Sequence, residues 1–130
     1  AYVASNFYII HSYVINWSKK PFNSLLGETF DFEQEDFKVV AEQVSHHPPI
    51  AAYYGESDDF KIYGYSAVQL VFSINGLAIW STGMTKVYLK KTDEYFTILF
   101  PDNELKNVLA GNLYIHHVGN LTVVNEKTKD

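Results

Sequence analysis

Apolar and polar residues follow two different periods along this chain. In residues 3–15 the apolar positions recur at helical spacing, although β-branched and aromatic residues crowd the segment. We therefore predict a short N-terminal helix there, whose apolar side is carried by Val3, Phe7, Ile10 and Val14.

After Gly27 the period becomes two, which is typical of a half-buried strand. Phe30 and Phe32 share one face, while Asp31 lies on the other. Similar short runs, separated by turn residues, predict further strands at about 37–44, 50–56, 60–66, 68–75, 77–82, 85–91, 94–100, 106–117 and 121–125.

The breaks between these runs carry turn residues. Asn75-Gly76 is the strongest hairpin signal because both residues tolerate positive φ, and Pro101-Asp102-Asn103 predicts another turn. Many short strands without alternating helices predict a mainly β fold, an antiparallel meander forming part of an incomplete β-barrel. Two segments, 68–72 and 96–100, are apolar on both faces. This pattern has two compatible explanations. The barrel interior can be lined with apolar side chains for an apolar ligand, and the chain can be part of a larger domain.

Composition narrows the class of function. Of the 130 residues, 47% are hydrophobic and 19% charged, so the chain is too apolar for intrinsic disorder. A net charge of −5 argues against a nucleic-acid partner. Every basic residue is lysine, and cysteine is absent. An anion site must therefore use lysine, histidine, asparagine or backbone N–H groups, and a thiolate zinc site is excluded.

The densest polar cluster is residues 42–49, Glu-Gln-Val-Ser-His-His-Pro-Pro. Neighbouring side chains of an extended strand point to opposite faces, so we expect His46 and His47 not to chelate one metal together. The two prolines stiffen the strand end and hold both imidazoles at a rim, where they are suited to phosphate. The local sequence alone favours a plainer interpretation, in which they fill hydrogen-bonding places at a strand end. His116-His117 lacks the prolines and is interpreted as ordinary strand.

A second cluster, residues 19–30, combines lysine with asparagine and serine just before the first strand. Lys20 supplies a point charge for phosphate, and Asn23 offers amide donors. Asn23 or Ser24 could cap a short turn whose N–H groups face an anion. A solvated loop is the plainer interpretation of this stretch taken by itself.

The sequence shows no reaction. Glu28, Glu42 and the histidines form a nominal acid–base set, but no nucleophile signature accompanies them. Phosphate-loop and dinucleotide glycine patterns are absent as well. We expect no catalytic residue, no metal and no cofactor, and we interpret the chain as a binding protein rather than an enzyme.

Together the two clusters resemble the oxysterol-binding-protein-related family of lipid transfer proteins. Residues 42–49, EQVSHHPP, match that family's fingerprint at every position. Residues 20–30, KPFNSLLGETF, resemble its second block, with Ser24 in place of proline. The segment 111–128 is similar to a further family motif through its GNLYI run and its NEKT end. The resemblance covers essentially the whole chain.

The resemblance implies an incomplete antiparallel barrel around a lipid tunnel. Members extract phosphatidylinositol 4-phosphate, and many carry a sterol or phosphatidylserine in exchange between membranes. The backbone around Leu25 and Leu26 would lie at the tunnel mouth. Carried over by position, the ligands of the lipid headgroup would be Lys20, Asn23, His46 and His47.

A complete domain of that family is longer, and its amino-terminal lid and carboxy-terminal headgroup ligands would lie outside residues 1–130. We therefore expect these residues to be the central part of one lipid-binding domain, which binds lipid poorly alone and exposes apolar surface. The implied setting is cytoplasmic, peripheral to membranes and at membrane contact sites. An alternative function is a lipid sensor or scaffold at such contacts, which binds a lipid without transferring it.

Overall fold

The computed structural model describes residues 22–109 and 111–129, and the regular secondary structure of these residues consists of β-strands. The mainly β prediction is confirmed, whereas the helix predicted at residues 3–15 lies outside the described residues. The strands are β1 (Thr29–Gln34), β2 (Phe37–His46), β3 (Pro49–Ser57), β4 (Phe60–Ser73), β5 (Gly76–Ser81), β6 (Met84–Leu89), β7 (Glu94–Leu99), β8 (Asp102–Lys106), β9 (Tyr114–Val118) and β10 (Thr122–Asn125).

The strands form an open antiparallel meander. β1, β2, β3 and β4 pair in chain order, and β4 is long enough to pair with two further strands. Its first half, Phe60–Tyr65, pairs with β6, and its second half, Val68–Ser73, pairs with β5. β7 and β10 continue the sheet beyond β6, while β8 and β9 continue it beyond β5.

One line of interruptions, which we call the crease, crosses the later part of the sheet. β5 and β6 follow β4 in a single register and are separated only at Thr82-Gly83. β7 is separated from β8 at Phe100-Pro101, and β9 from β10 at residues 119–121. The backbones pass so closely here that a Cβ on Gly83 would lie 2.3 Å from the Tyr65 carbonyl oxygen. Packing at the crease therefore requires glycine at this position.

The register sorts side chains onto two faces. On the inner face, one cross-strand row runs through Val39, Gly55, Ile62, Val87 and Phe96. β2 shows the difference most clearly, because its inner positions are half-buried and its outer ones exposed. The outer face is amphipathic and carries ion pairs and tyrosines. Two of the three buried apolar residues, Val87 and Ile98, lie on the inner face, and the third, Ala67, lies at the crease.

A hydroxyl pair bridges the inner face across a glycine. Tyr53, Gly64 and Thr85 form one cross-strand row on β3, β4 and β6. Because Gly64 has no side chain, the Tyr53 ring can reach over it, and its hydroxyl forms a hydrogen bond with that of Thr85. Thr85 is buried, and burial raises the pKa of the Tyr53 hydroxyl.

The hairpin predicted at Asn75-Gly76 is confirmed, with its tip one residue earlier. Ser73 pairs with Gly76, so Ile74 and Asn75 are the two turn residues. Neither Asn75 nor Gly76 has positive φ, so the predicted reason for the turn is wrong.

The predicted strand at 106–117 is wrong. β8 begins directly after the buried Pro101 and ends at Lys106, so the proline marks the crease and not a turn. Asn107 and Gly111 have φ values of 60° and 91°, which break the extended backbone before β9. His116-His117 lies within β9, as predicted.

The connections alternate between the two ends of the sheet. Residues 35–36, 58–59 and 90–93 connect strands at one end, and residues 47–48 and 74–75 do so at the other. The β8–β9 loop joins this second end, where Leu109 N donates a hydrogen bond to Asn75 Oδ1 at 3.1 Å.

The described part of the chain contains no helix that is long and apolar enough to cross a bilayer.

Candidate functional site

Leu25–Glu28 form a tight turn just before β1, which we call the leucine turn. Glu28 N donates to Leu25 O at 2.9 Å, and Gly27 at the third position has φ of 77°. This is the pattern of a type II turn, which needs positive φ at that position and so favours glycine. The Glu28 carboxylate also accepts a hydrogen bond from Leu25 N at 2.6 Å, which fixes the turn from both sides.

Two backbone hydrogen bonds attach the leucine turn to β2. Gly27 N donates to Gln43 O at 2.8 Å, and Gln43 N donates to Glu28 O at 3.0 Å. These bonds continue the β1–β2 register, in which Thr29 pairs with Glu42. The segment 22–28 therefore runs beside the end of β2 that leads to the histidines.

The histidines lie at the tip of the β2–β3 hairpin, in a turn that we call the histidine turn (His46–Pro49). His46 pairs with Pro49, and the His47-Pro48 peptide bond is cis. Both imidazoles are exposed, and their ring centroids lie 4.6 Å apart in an edge-to-face arrangement. The expectation that these neighbouring side chains diverge is wrong, because the strand ends at His46 and the chain turns there.

A β-bulge at Val44 interrupts the pairing of β2 with β3 just before the histidine turn. The β2–β3 register shifts by one residue between Gln43 and Ser45. The Gln43 side-chain amide donates to Ser45 O at 2.7 Å across the bulge. Val44 has no partner in β3, and beyond it Ser45 pairs with Ile50 and His46 with Pro49.

The structure places the leucine turn and the histidine turn at the same end of the sheet. Of the residues predicted to form the site, Asn23, Leu25 and Leu26 are exposed in the segment 22–28. His46 and His47 lie on the neighbouring hairpin tip. Lys20 lies outside the described residues.

Sequence reasoning missed the residues that hold this geometry, namely Glu28, Gln43 and Val44. The order Leu-Leu-Gly-Glu carried a usable signal, because glycine in the third of four places favours a type II turn. No comparable signal marks the bulge, since Val44 is a good strand former.

Among residues 22–109 and 111–129, no group of three or more His, Cys, Asp or Glu side chains could hold a metal ion. A small cavity of about 80 Å³ lies between the segment 24–30 and β2, with Ser24, Glu28 and Gln43 among its lining residues.

A larger cavity of about 570 Å³ lies at the opposite end, against the β1–β2 turn. Its ionisable lining is mostly acidic, and its lysines are engaged, Lys38 with Glu33 and Lys90 Nζ with Glu56 Oε1 at 2.7 Å. Hydrogen bonds from Lys90 and Tyr54 lower the pKa of Glu56 to about 2. This cavity is therefore unsuited to an anionic ligand.

The fold and the site together define a class of protein, an open antiparallel meander with an apolar inner face and two turns at one rim. Residues 1–130 match the family model described as Oxysterol-binding protein. The chain belongs to the oxysterol-binding protein family.

Curated relatives share this segment at moderate identity. The chain is 40% identical over 111 residues to oxysterol-binding protein 11 of Dictyostelium discoideum, a match that covers 84% of this chain and 19% of that protein. It is 39% identical over 115 residues to oxysterol-binding protein-related protein 2 of Mus musculus, covering 85% and 24%. The chain therefore spans about a fifth to a quarter of the length of these relatives.

Solved structures share the fold. The Osh3 ORD of Saccharomyces cerevisiae, solved in complex with PI(4)P, superposes with a TM-score of 0.76 at 32% identity, covering 84% of this chain and 30% of that one. The Osh1 ORD domain, solved with ergosterol, gives a TM-score of 0.82 at 30% identity and covers 95% and 31%.

Proposed function

We propose that this chain is the central part of a lipid-binding domain that recognises phosphatidylinositol 4-phosphate and transfers lipid between membranes. The observation that carries the proposal is the backbone pairing of the leucine turn with Gln43, because Gln43 lies three residues before the histidine turn on the same strand. The similar structure of the Osh3 ORD, solved in complex with PI(4)P, supports the proposal.

The headgroup would rest on the rim formed by the two turns. Imidazole N–H groups donate to phosphate oxygens, and these bonds strengthen when the ring is protonated. His46 and His47 would act together, because their rings are in contact at the hairpin tip. Asn23 would add amide donors, and Lys20 would add a point charge from the segment before the leucine turn.

The apolar inner face would shield the rest of the lipid from water. We include exchange against a second lipid, a sterol or phosphatidylserine, in this proposal, and the Osh1 structures solved with cholesterol and with ergosterol support the sterol. No covalent step is involved, so the domain would act as a solvent for one lipid at a time. It would work in the cytoplasm, peripheral to the membranes that it serves.

A titration with a water-soluble, short-chain phosphatidylinositol 4-phosphate tests the headgroup assignment. We expect His46→Ala/His47→Ala to weaken binding at least tenfold, because both imidazole donors are lost. His116→Ala is the matched control, since it removes an exposed imidazole from β9. Equal binding by all three proteins would reject the assignment.

Extraction of long-chain phosphatidylinositol 4-phosphate from liposomes tests how much of the domain is needed for lipid transfer. We expect neither the chain nor its histidine variant to extract lipid, because a lid and further headgroup ligands complete the site in the family. Extraction by the unaltered chain alone would show that residues 1–130 suffice. Catalytic transfer between two liposome populations would then separate a transfer protein from a sensor.

A further inference from the structure

We propose that Asn75 is a site of covalent modification, at which the side-chain amide is lost as ammonia in a reaction within the chain. Asn75-Gly76 has the composition of a hairpin turn, yet neither residue has positive φ, so the turn type does not account for this pair of residues. The two residues are instead explained by the contacts that each of them makes. The inference is independent of the proposed function, because it concerns the chemistry of the β4–β5 turn.

The reaction needs only the chain and one water molecule. Gly76 N, after losing its proton to a base, attacks Asn75 Cγ and forms a tetrahedral intermediate whose negative charge lies on Oδ1. Collapse of this intermediate expels the side-chain nitrogen as ammonia and leaves a cyclic succinimide. Water then opens one of the two ring C–N bonds, which gives aspartate or isoaspartate. The sum is an amide plus water giving a carboxylate plus an ammonium ion, with no oxidation or reduction, and it is a reason why asparagine is thermolabile.

Packing requires a glycine directly after Asn75. A Cβ on Gly76 would lie 2.6 Å from the carbonyl oxygen of Leu105, which belongs to the backbone of the neighbouring strand β8. Position 76 therefore has no side chain that could hinder the approach of its nitrogen to Asn75 Cγ. Asn75 is also the only asparagine of the sequence that is followed by glycine. The close approach of β5 and β8 thus creates the pair of residues at which the attack is least hindered.

A backbone donor already contacts the oxygen on which the negative charge develops. Leu109 N, in the β8–β9 loop, donates a hydrogen bond to Asn75 Oδ1 at 3.1 Å. An N–H group in this position stabilises the oxyanion of the intermediate more than it stabilises the neutral amide, so it lowers the barrier to the attack. The fold therefore promotes loss of the amide in addition to the effect of the following glycine.

The attack requires the backbone at Gly76 to leave its place in the sheet for a moment. Ser73 and Gly76 form the last pair between β4 and β5, and Ile74 and Asn75 lie beyond it. The end of a hairpin opens at a lower free energy than the middle of a sheet. Rotation about the bonds of Asn75 then brings Cγ to Gly76 N, because both atoms belong to the same five-membered ring in the succinimide.

Both products change the contact between the β4–β5 turn and the β8–β9 loop. Residues 74–75 and 107–109 carry no ionisable side chain, so the reaction introduces a charge where there was none. In the aspartate product Leu109 N would donate to a carboxylate oxygen, and hydrogen bonds to a charged acceptor are stronger. In the isoaspartate product the backbone of a two-residue turn gains one methylene group, which disturbs the pairing of Ser73 with Gly76.

Incubation of the folded chain at mildly alkaline pH, followed by peptide mass spectrometry, tests the site. We expect Asn75 to lose its amide at least tenfold faster than Asn103, Asn112 and Asn120, which are followed by larger residues in the same chain and serve as internal controls. An isoaspartyl methyltransferase with labelled S-adenosylmethionine should modify the peptide that contains position 75. Asn75→Gln should lose this label, because a longer side chain does not form the five-membered ring.

Leu109→Pro tests the part played by the fold. Proline has no N–H, so this variant removes the donor and leaves Asn75-Gly76 unchanged, whereas Leu109→Ala is the matched control that keeps the donor. With folding of both variants verified by circular dichroism, we expect Asn75 to lose its amide at least threefold more slowly in Leu109→Pro than in Leu109→Ala. The difference should disappear when both variants are unfolded in urea, because the contact between the two connections is then lost.

Two results would overturn the inference. If Asn75 kept its amide as long as the three internal controls do, Asn75 would not be a modification site. If Leu109→Pro lost ammonia as fast as Leu109→Ala or faster, the role of Leu109 N would be wrong, because its hydrogen bond would then hold the amide away from Gly76 N and not activate it. Neither result depends on lipid binding, so both can be obtained whether or not the proposed function is correct.

Discussion

Gly27 is the residue on which the leucine turn depends, since φ of 77° is unfavourable for any residue with a Cβ. We expect Gly27→Ala to lower the free energy of unfolding by about 1–2 kcal/mol and to weaken headgroup binding, because Asn23 and Leu25 lose their position beside β2. Space is open around the added Cβ, so the cost lies in backbone conformation alone. Urea unfolding and lipid titration measure the two effects.

Gly27→Asn is the control for this prediction, because asparagine enters the left-handed region more readily than alanine. It should retain more of both stability and binding. If the alanine and asparagine variants were equally impaired, the conformational explanation would be wrong.

Glu56 connects pH to stability on the outer face. Its folded pKa of about 2 lies below the ordinary value of 4.5, because Lys90 and Tyr54 donate hydrogen bonds to the carboxylate. A lowered carboxyl pKa stabilises the fold above the unfolded value, and that contribution is lost as pH falls from about 4.5 towards 2. We expect the melting temperature of Glu56→Gln to fall less steeply over this range than that of the unaltered chain. If the melting temperatures of the two proteins fell by the same amount over this pH range, this role for Glu56 would be contradicted.

At the scale of strands, the crease depends on close contact between the backbones of β4 and β6. A Cβ on Gly64 would lie 2.2 Å from the Met84 carbonyl oxygen, which is backbone and cannot rotate away. We expect Gly64→Ala to cost about 2 kcal/mol or more in chemical denaturation. Gly55→Ala is the matched control, since its nearest neighbours are side-chain carbons of Ile62 and Phe37 at 3.0 Å. Similar losses in both variants would show that backbone proximity is not the limiting factor.

Strand prediction succeeded where period-two patterning and turn residues agree, as in β2, β3 and β7. It failed at Asp102 and Asn103, which have turn-forming side chains but lie in β8. The reason is tertiary, because Ser81 N donates to the Asp102 carboxylate at 2.8 Å and Ser81 Oγ donates to Pro101 O at 3.0 Å. A contact between residues about twenty positions apart leaves no trace in local sequence.

The candidate site was predictable as two separate clusters and not as a geometry. The residue types identified Asn23, His46 and His47 as candidate ligands, and the family resemblance assigned them to one site. The contact between the two imidazoles depends on where β2 ends, and the pairing of His46 with Pro49 depends on the bulge at Val44. Both are set by pairing with β3, which the local pattern does not encode.

At the scale of the whole molecule, much apolar surface remains exposed. Leu70, Phe72 and Leu113 are exposed near one end of the sheet. Among the described residues β1 pairs only with β2, and its Phe30 and Phe32 are exposed. We expect the purified chain to self-associate as its concentration rises and to bind a hydrophobic dye. Sedimentation velocity over a hundredfold concentration range measures this. A chain that stayed monomeric at high concentration without dye binding would contradict the expectation.

The meander has one more consequence, for the way the chain acquires its shape. The crease separates β5 from β6, β7 from β8 and β9 from β10. If each of these pairs is treated as one long strand, every strand pairs only with the strand before it and the strand after it in the chain. The sheet can therefore grow by adding one hairpin at a time to either edge, and every addition closes only a short loop. No strand has to pair with a strand that is distant in the sequence. The strands of this sheet can therefore pair in the order in which the ribosome releases the chain.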